Sequence, residues 1–380
     1  MEVVVTTKIK LLPNEEQKKL LLKTLKQMKD GLNFASEVAY ENNCLAHSKK
    51  LQKLVYNDLR EKFGLKSQMA CNACNIVSGN YTTEVTNKTF SKVFYKNAKL
   101  VYSYGRDFSF AKNNLISIGT LEKRAKMPYI TKGNEKYFDG SWEFATSELK
   151  CKKGKFYLHI SVKKEIEEPE IYKNVVGVDL GMRFLATAID SKDNHLFWRG
   201  GKVTQVRAKH LNLRKRLQEC GTKSAKRKLK KLSGKERRFM TNENHCVSKA
   251  LVRFAGENSI IALENLEDIN ITTKVRDNEN HFRYHRMSWA FYQLRQFIEY
   301  KAKLNKSIVI DVDPAYTSQK CPKCGHTHKE NRNKDKHIFE CKACNYKSND
   351  DRIGAMNLRQ LGIEYHSRMS EKEEKNEQSA

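Results

Sequence analysis

Residues 175–189 read VVGVDLGMRFLATAI and decide how the second half of the chain folds. Two apolar, β-prone runs flank a short turn that contains Gly181, a pattern that predicts a β-hairpin. Asp179 interrupts the first of these runs. A carboxylate in a buried strand is costly unless a positive charge meets it. The sequence therefore predicts that an arginine, a lysine or a metal ion faces Asp179.

The charge of the chain indicates its class of partner. The 380 residues, enough for two or three structural units, carry a formal net charge of +28. This excess predicts a polyanion, by default nucleic acid, although a merely basic soluble protein would have the same composition. The sequence contains no run of 18 apolar residues and does not start like a signal peptide. We therefore expect a cytoplasmic protein with no membrane partner.

The N-terminal part predicts one strand followed by a helical domain. Residues 2–11 have the pattern of a strand, and Asn14 with Gln17 forms a capping-box pattern before helically spaced apolar residues. Within a helical domain at 15–95, helices are predicted over 15–40, 50–63 and 68–90. Cys71 and Cys74 lie inside the third helix without a second pair nearby, so we interpret them as buried small residues rather than metal ligands.

Short alternating segments then predict a β-barrel or a sandwich. These segments are 98–104, 115–118, 127–130, 142–150 and 156–163. The first strand is expected to join them, so that residues 1–14 and 96–173 form a β-barrel into which the helical domain is inserted. The lysines of these strands predict either a solvated face or a face that contacts phosphates.

A strongly basic segment follows the hairpin. Residues 207–238 contain fourteen lysines or arginines and two glutamates, with enough spaced leucines to predict helices that break at Gly221. A charge run of this kind is usually a solvated face, but its density here favours contact with phosphates. The residues predicted to bind nucleic acid are Arg207, Lys209, Arg214, Lys215, Lys226, Arg227, Lys230 and Arg237.

The rest of the chain predicts an α/β domain at 174–316 and 348–364. Strands are predicted at 195–198, 259–263 and 307–312, and helices at 244–256, 289–304 and 352–361. The polar residues 365–380 are expected to be disordered.

Four cysteines form the most specific motif by spacing. Cys321 and Cys324 are followed after sixteen residues by Cys341 and Cys344, which predicts a zinc ribbon at 317–347. Four thiolates fill the tetrahedral shell of Zn²⁺, so we expect this site to be structural. The histidines between the two pairs are rival ligands that a saturated ion does not need.

Three acids stand at the ends of predicted elements. Asp179 lies in the first strand, Glu264 ends a later strand, and Asp351 begins the last helix. The order strand-strand-strand-helix-strand-helix-strand-helix is that of a ribonuclease H-like α/β domain, in which such acids can converge at one edge of the sheet. Converging carboxylates need cations, and their oxygens suit Mg²⁺ or Mn²⁺. Two such ions would support hydrolysis of a phosphodiester.

Five segments of the chain resemble the transposon-encoded TnpB (OrfB) proteins, which are related to the compact type V CRISPR effectors. The resemblance rests on GVDLG at 177–181, ALENL at 262–266, DPAYTSQKCPKCG at 313–325, CKAC at 341–344 and DDRIGAMNL at 350–358. It implies the fold class α+β multidomain: a wedge-like β-barrel with an inserted recognition domain, then a RuvC nuclease domain with an inserted zinc ribbon.

The resemblance also implies an activity and its residues. It implies an RNA-guided DNA endonuclease that binds a guide RNA, transposon-end-derived or CRISPR-like, and target double-stranded DNA beside a short motif. The catalytic acids carry over to Asp179, Glu264 and, in a D-x-x-x-A-x-N frame that ends at Asn357, Asp351. Gly354 stands where the family often has alanine, and the neighbouring Asp350 is a rival that the frame disfavours. The alternatives are a transposase or resolvase of the same fold, and a nuclease-inactive RNA-guided DNA-binding regulator.

Overall fold

The computed structural model describes residues 1–265, 291–313 and 315–377, and these form an α+β fold. The chain divides into two compact units, Glu2–Lys164 and Glu165–Ala380, the second of which includes Met1. None of the described helices has both the length and the apolar character that a membrane crossing requires.

Three helices of the first unit occupy the region where the sequence predicted them. They are α1 (Glu15–Glu41), α2 (Ser48–Glu61) and α3 (Ser67–Thr86). The predicted capping box is present, since the Asn14 side chain accepts from the Gln17 backbone N–H and the Gln17 side chain accepts from the Asn14 backbone N–H.

The first unit also contains a seven-stranded sheet in the order β2-β6-β7-β1-β5-β4-β3. Its strands are β1 (Glu2–Leu11), β2 (Leu100–Ser103), β3 (Phe108–Ala111), β4 (Leu115–Ile118), β5 (Ala125–Ile130), β6 (Glu143–Lys152) and β7 (Lys155–Glu165). An isolated bridge between Tyr104 and Phe108 brings the two edge strands together, so the sheet is nearly closed. The sequence analysis did not predict β3.

The second unit is built on a five-stranded sheet in the order β10-β9-β8-β11-β12. Its strands are β8 (Asn174–Asp179), β9 (Phe184–Ile189), β10 (His195–Arg199), β11 (Ser259–Glu264) and β12 (Ile308–Val312). The predicted hairpin is present, because β8 and β9 pair antiparallel with Val178 opposite Ala188. Strand β11 runs parallel to both β8 and β12.

The described residues of this unit also form helices and a small second sheet. The helices are α4 (Gly201–Cys220), α5 (Lys223–Ala255), α6 (Phe291–Leu304) and α7 (Asp350–Glu377). The small sheet consists of β13 (Arg332–Asn333), β14 (Ile338–Glu340) and β15 (Lys347–Asn349), all antiparallel.

Two helical boundaries differ from the sequence expectation. Residues 244–256 do not form a separate helix but continue α5, because no proline interrupts 223–255 and Gly234 alone does not break the helix. Helix α7 extends to Glu377, whereas residues 365–380 were expected to be disordered. Glutamate and lysine favour helix even without a core to pack against, and Glu364 pairs with Arg368 one turn later.

The two faces of β8 bury different partners. Val176 and Val178 pack in a core with α5 and α6, whereas Val175 packs with Leu358 of α7. Because side chains alternate along a strand, Gly177 and Asp179 also face α7. A Cβ on Gly177 would lie 2.1 Å from the carbonyl oxygen of Ala355, so only glycine allows α7 to pack this closely on the strand. Asp179 is thereby brought next to the start of that helix.

Candidate carboxylate and four-cysteine centres

Asp179 and Glu264 end neighbouring parallel strands. Val178 is in register with Leu263, so the next residue on each strand is one of the two acids. Ile260 and Ala262 pack in the same core as Val175 and Leu358, which places Glu264 on the α7 face by alternation. Both carboxylates therefore lie at the same edge and on the same face of the sheet.

Asp351 joins them from the first turn of α7. The Asn349 side chain caps this helix by accepting from the backbone N–H groups of Asp351, at 3.1 Å, and Arg352. One turn later, a Cβ on Gly354 would lie only 3.1 Å from Oδ2 of Asp179, so Asp179 rests directly against this turn. The helix thus fixes the third acid beside the first.

The pKa values of all three acids are raised. Burial raises the pKa of Asp179 well above 3.8, and the charges of Glu264 and Asp351 raise it further. Burial also raises the pKa of Glu264, as it does that of Asp351, which the neighbouring charge of Asp350 raises further. Three carboxylates in this environment repel one another unless a cation is present.

The donor set fits a hard divalent cation. Oδ2 of Asp351 is buried and has no hydrogen-bond partner among the described residues. Asp179 forms no ion pair within 4.0 Å with any described residue. Carboxylate oxygens are the ligands that Mg²⁺ and Mn²⁺ prefer.

Asp350, the rival to Asp351, already forms an ion pair. Its side chain is fully buried, and its Oδ2 accepts from Nε of Arg332 at 2.9 Å. His337 Nδ1 lies 3.5 Å from Oδ1 of the same carboxylate. His337, Asp350 and Asp351 could together offer ligand atoms within 4.8 Å of one another. The ion pair with Arg332 nevertheless favours Asp351 over Asp350 as the acid that faces a reacting group.

Arg332 is a functional candidate that sequence reasoning did not single out. Its charge lowers the pKa of Asp179, of Glu264 and of Asp351. It lies on β13 between the two cysteine pairs, in a loop with several other basic residues that the sequence pattern does not distinguish from it. Only the fold reveals that this guanidinium pairs with Asp350 and lies near enough for its charge to act on the three acids.

Thr317 had no sequence signal, and Asn357 entered the sequence analysis only as the last residue of the D-x-x-x-A-x-N frame. Nδ2 of Asn357 on α7 donates to the carbonyl oxygens of Thr317, at 2.6 Å, and Lys320, at 2.8 Å. The Thr317 hydroxyl donates to Oε1 of Glu264 at 3.4 Å, and this hydrogen bond lowers the pKa of Glu264. Asn357 therefore ties the helix to the segment that orients Glu264.

The four predicted cysteines come together as two matched turns. Sγ of Cys321 lies 3.6 Å from Sγ of Cys344, and Sγ of Cys324 lies 3.5 Å from Sγ of Cys341. Tetrahedral thiolates about 2.3 Å from Zn²⁺ would be about 3.8 Å apart, so the cluster fits a zinc ion. It packs on α7 through Ile353, two residues after Asp351, so the four-cysteine cluster lies beside the start of that helix.

We expect one tightly bound zinc ion per chain, measured by elemental analysis of the purified protein. Cys341→Ser should lower the zinc content to well below one per chain and reduce the melting temperature, because the ribbon core loses its cross-link. Cys220→Ser, at an exposed cysteine outside the cluster, is the matched control and should leave both values unchanged. A parent protein without zinc would contradict the assignment.

Cys71 and Cys74 do not form a second metal cluster with other described residues. Burial raises the pKa of Cys74 to about 12, which keeps it a neutral thiol, and Nε2 of Gln52 lies 3.4 Å from Sγ of Cys71. Their interpretation as helix-packing residues agrees with this environment.

The basic helices α4 and α5 expose to solvent most, but not all, of the residues that were predicted to bind nucleic acid. The exposed ones are Lys209, Lys215, Lys226, Arg227, Lys230 and Arg237. Arg214 is partly buried and pairs with Glu236. Arg207 is not among the exposed residues, since its side chain is only 1% exposed. It stands one helical turn after Val203 on the buried face of α4, which a charge count does not detect.

The two helices also enclose a basic groove of about 500 Å³. Its lining includes the apolar Leu213 and Leu232 and four cations: Arg227, Lys228, Lys231 and Lys235. The positive charge of this groove suits a sugar-phosphate backbone.

Two family models match segments of the chain that lie almost entirely in the second unit. One described as "Probable transposase" matches residues 159–273, and one described as "Cas12f1-like, TNB domain" matches residues 291–358. A TnpB-like protein of Methanocaldococcus jannaschii is 26% identical over 262 residues, which are 66% of this chain and 91% of that protein. The chain resembles the TnpB and Cas12f proteins. The resemblance inferred from the sequence motifs is confirmed.

A further relative and a solved structure are also similar to this chain. The CRISPR-associated endodeoxyribonuclease Cas12f1 of Syntrophomonas palmitatica is 27% identical over 263 residues, or 64% of this chain. The match spans only about half, 51%, of that relative's length. The protein in a cryo-EM structure of a Cas12f1–sgRNA–target DNA complex has a TM-score of 0.67 at 15% identity, over 91% of this chain and 83% of that one. At this identity the Cas12f likeness concerns the fold alone.

Proposed function

We propose that this protein is an RNA-guided DNA endonuclease with a RuvC-type nuclease centre. The observation that carries the proposal is the convergence of Asp179, Glu264 and Asp351 on one edge of the sheet, with an unpartnered carboxylate oxygen among them in the described part of the chain. The strand order β10-β9-β8-β11-β12, with three antiparallel strands followed by two parallel ones, supports a ribonuclease H-like core.

The residues divide the chemistry among them. Asp179, Glu264 and Asp351 would hold Mg²⁺ or Mn²⁺, which activates water and stabilises the leaving oxygen of a phosphodiester. Arg332 lowers the pKa values of the acids, against the larger raising effect of burial, and would offer its guanidinium to phosphate oxygens. The acids themselves repel phosphate, so Arg332 offsets that repulsion as DNA enters.

The partners follow from the charge and from the relatives. We propose a guide RNA and a target DNA duplex, by analogy with the sgRNA and target DNA that the Cas12f1 protein holds in its complex. The groove between α4 and α5 would hold one strand's phosphates. The domain boundaries inferred from the sequence, with a wedge-like barrel, a recognition domain, a RuvC domain and a zinc ribbon, are part of the same proposal.

One experiment tests the function directly. RNA that copurifies with the protein is sequenced, and a plasmid that matches its variable end is offered to the same preparation with Mg²⁺. We expect a defined RNA and cleavage of the matched plasmid, with a scrambled plasmid left intact. Strand transfer between DNA ends without any RNA would instead favour the transposase alternative. RNA-dependent binding without cleavage would favour the regulator.

A further inference from the structure

The segment that follows α3 is irregular, basic and fixed in place. Between residues 85 and 99 there are four lysines and no acid. We define the 87–96 loop as the part that carries Lys88, Lys92 and Lys96 together with two phenylalanines, Phe90 and Phe94. It belongs to the first unit.

Several hydrogen bonds anchor the two ends of the 87–96 loop. The Glu84 carboxylate accepts from the Thr89 hydroxyl at 2.6 Å and from the Ser91 backbone at 3.1 Å, and these contacts lower the pKa of Glu84. At the other end Tyr95 is buried, and its backbone N–H donates to Oδ1 of Asn33 at 2.8 Å. The loop therefore has a defined shape before any partner arrives.

This fixed loop holds two large apolar rings in water. The Phe90 side chain is 53% exposed and that of Phe94 is 68% exposed. Burying a phenylalanine side chain lowers the free energy of the folded chain. Holding both rings in water forgoes that gain, and packing within the protein does not explain why. The backbone adds strain, because Phe90 has φ of +47° and Lys88 has φ of +54°, values that are uncommon for residues other than glycine.

We propose that the 87–96 loop binds unpaired nucleotides, with bases stacked on Phe90 and Phe94 and phosphates near Lys88 and Lys96. Aromatic rings set among cations combine the two features that single-stranded nucleic acid offers, base faces and backbone charge. Inside a duplex both faces of each base are covered by the neighbouring base pairs. The partner is therefore a single strand or a loop. The proposal rests on the proposed function only for the class of partner, nucleic acid.

The test places a reporter at the exposed ring. Phe94→Trp protein is titrated, without divalent metal, with ten-nucleotide rU and dT single strands and with a DNA duplex of the same length. We expect at least one of the single strands to quench the fluorescence of the added tryptophan, and the duplex to leave that fluorescence unchanged. The stronger of the two single strands identifies RNA or DNA as the source.

Affinity measurements complete the test. Phe94→Ala is expected to weaken binding of the quenching strand about tenfold, and Phe94→Tyr much less, since a phenol still stacks. Tyr292→Ala, at an aromatic residue of α6 that is 74% exposed, is the matched control and should bind like the parent. Melting temperatures of all variants verify folding.

Three outcomes would overturn the proposal: no quenching by either strand, an unchanged dissociation constant for Phe94→Ala, or a change in sedimentation with Phe94→Ala that identifies a second copy of the chain as the occupant. Because the readout is binding, it separates this proposal from the function. Failure of guided cleavage with intact quenching would refute the nuclease and leave the loop assignment standing.

Discussion

Asp179→Asn is expected to abolish cleavage of a guide-matched plasmid and, in the metal-free protein, to raise the melting temperature. The two effects have opposite signs because the same buried charge serves catalysis and destabilises the fold. A bound cation supplies several kcal/mol of transition-state stabilisation, so losing a ligand should slow cleavage by about a thousandfold or more. Removing an uncompensated buried charge should stabilise the unit by about 1 kcal/mol or more, roughly 2–4 °C.

The pH dependence follows from the direction of the pKa shift. Burial and the neighbouring acids raise the pKa of Asp179 above its value of 3.8 in the unfolded chain. The folded state therefore binds this proton more tightly than the unfolded state. Its stability contribution is fully present below about pH 3.8 and is lost as the pH rises through the raised pKa. The parent without metal should thus lose stability between these pH values, and Asp179→Asn should lose less.

Added Mg²⁺ provides the complementary measurement. It should raise the melting temperature of the parent at neutral pH, since a ligand of the folded state stabilises it by mass action, and should have a weaker effect on Asp179→Asn. Asp193→Asn changes an exposed acid that pairs with Arg359, away from the carboxylate centre, and serves as the control. Copurified RNA should be the same in all three proteins. An Asp179→Asn protein that still cuts would refute the site.

Alternation and spacing made much of this site predictable. Asp179 interrupts an apolar run, Glu264 ends another, and the two cysteine pairs have the separation of a ribbon, so each departs from a simple local pattern. The common face of Asp179 and Glu264 follows from parallel register, which the sequence predicts only through the order of elements. The sequence shows a glycine at position 177, but not that α7 packs too closely on this strand for any other residue.

The remaining features depend on tertiary packing that leaves no local signal. Arg332 is one cation among many in the ribbon, and Arg207 is one among fourteen in the basic segment. The fold brings the first to the carboxylates and buries the second. The 87–96 loop has no periodicity, so its exposed phenylalanines become informative only when its anchors are known.

Arg332→Ala should have two separable effects. It removes the cation from the buried carboxylate of Asp350, and an orphaned buried charge typically costs about 3–5 kcal/mol. It also removes a positive charge whose influence reaches all three candidate catalytic acids. Loss of one such preorganised group typically lowers the rate by about 10²- to 10³-fold. A lower melting temperature and much slower cleavage are therefore expected together.

A second variant separates structure from chemistry. Arg332→Met with Asp350→Asn removes both charges while the asparagine oxygen can still accept from the Asp351 backbone N–H, as Oδ1 of Asp350 does at 3.1 Å. This double variant should recover most of the melting temperature, because the buried carboxylate that Arg332→Ala orphans is removed as well. Cleavage should stay as slow as in Arg332→Ala if the guanidinium acts on the reaction. Recovery of both properties would reduce Arg332 to a structural partner of Asp350.

Two further substitutions sharpen the interpretation. Lys336→Ala removes an exposed cation from the same ribbon turn and should change neither the melting temperature nor the rate by more than about twofold. Arg332→Lys keeps the charge but loses the planar guanidinium, so we expect partial recovery of cleavage over Arg332→Ala. The zinc content of every variant should remain one per chain, because none alters a cysteine. A variant that loses both zinc and activity would point to a damaged ribbon rather than to the missing guanidinium.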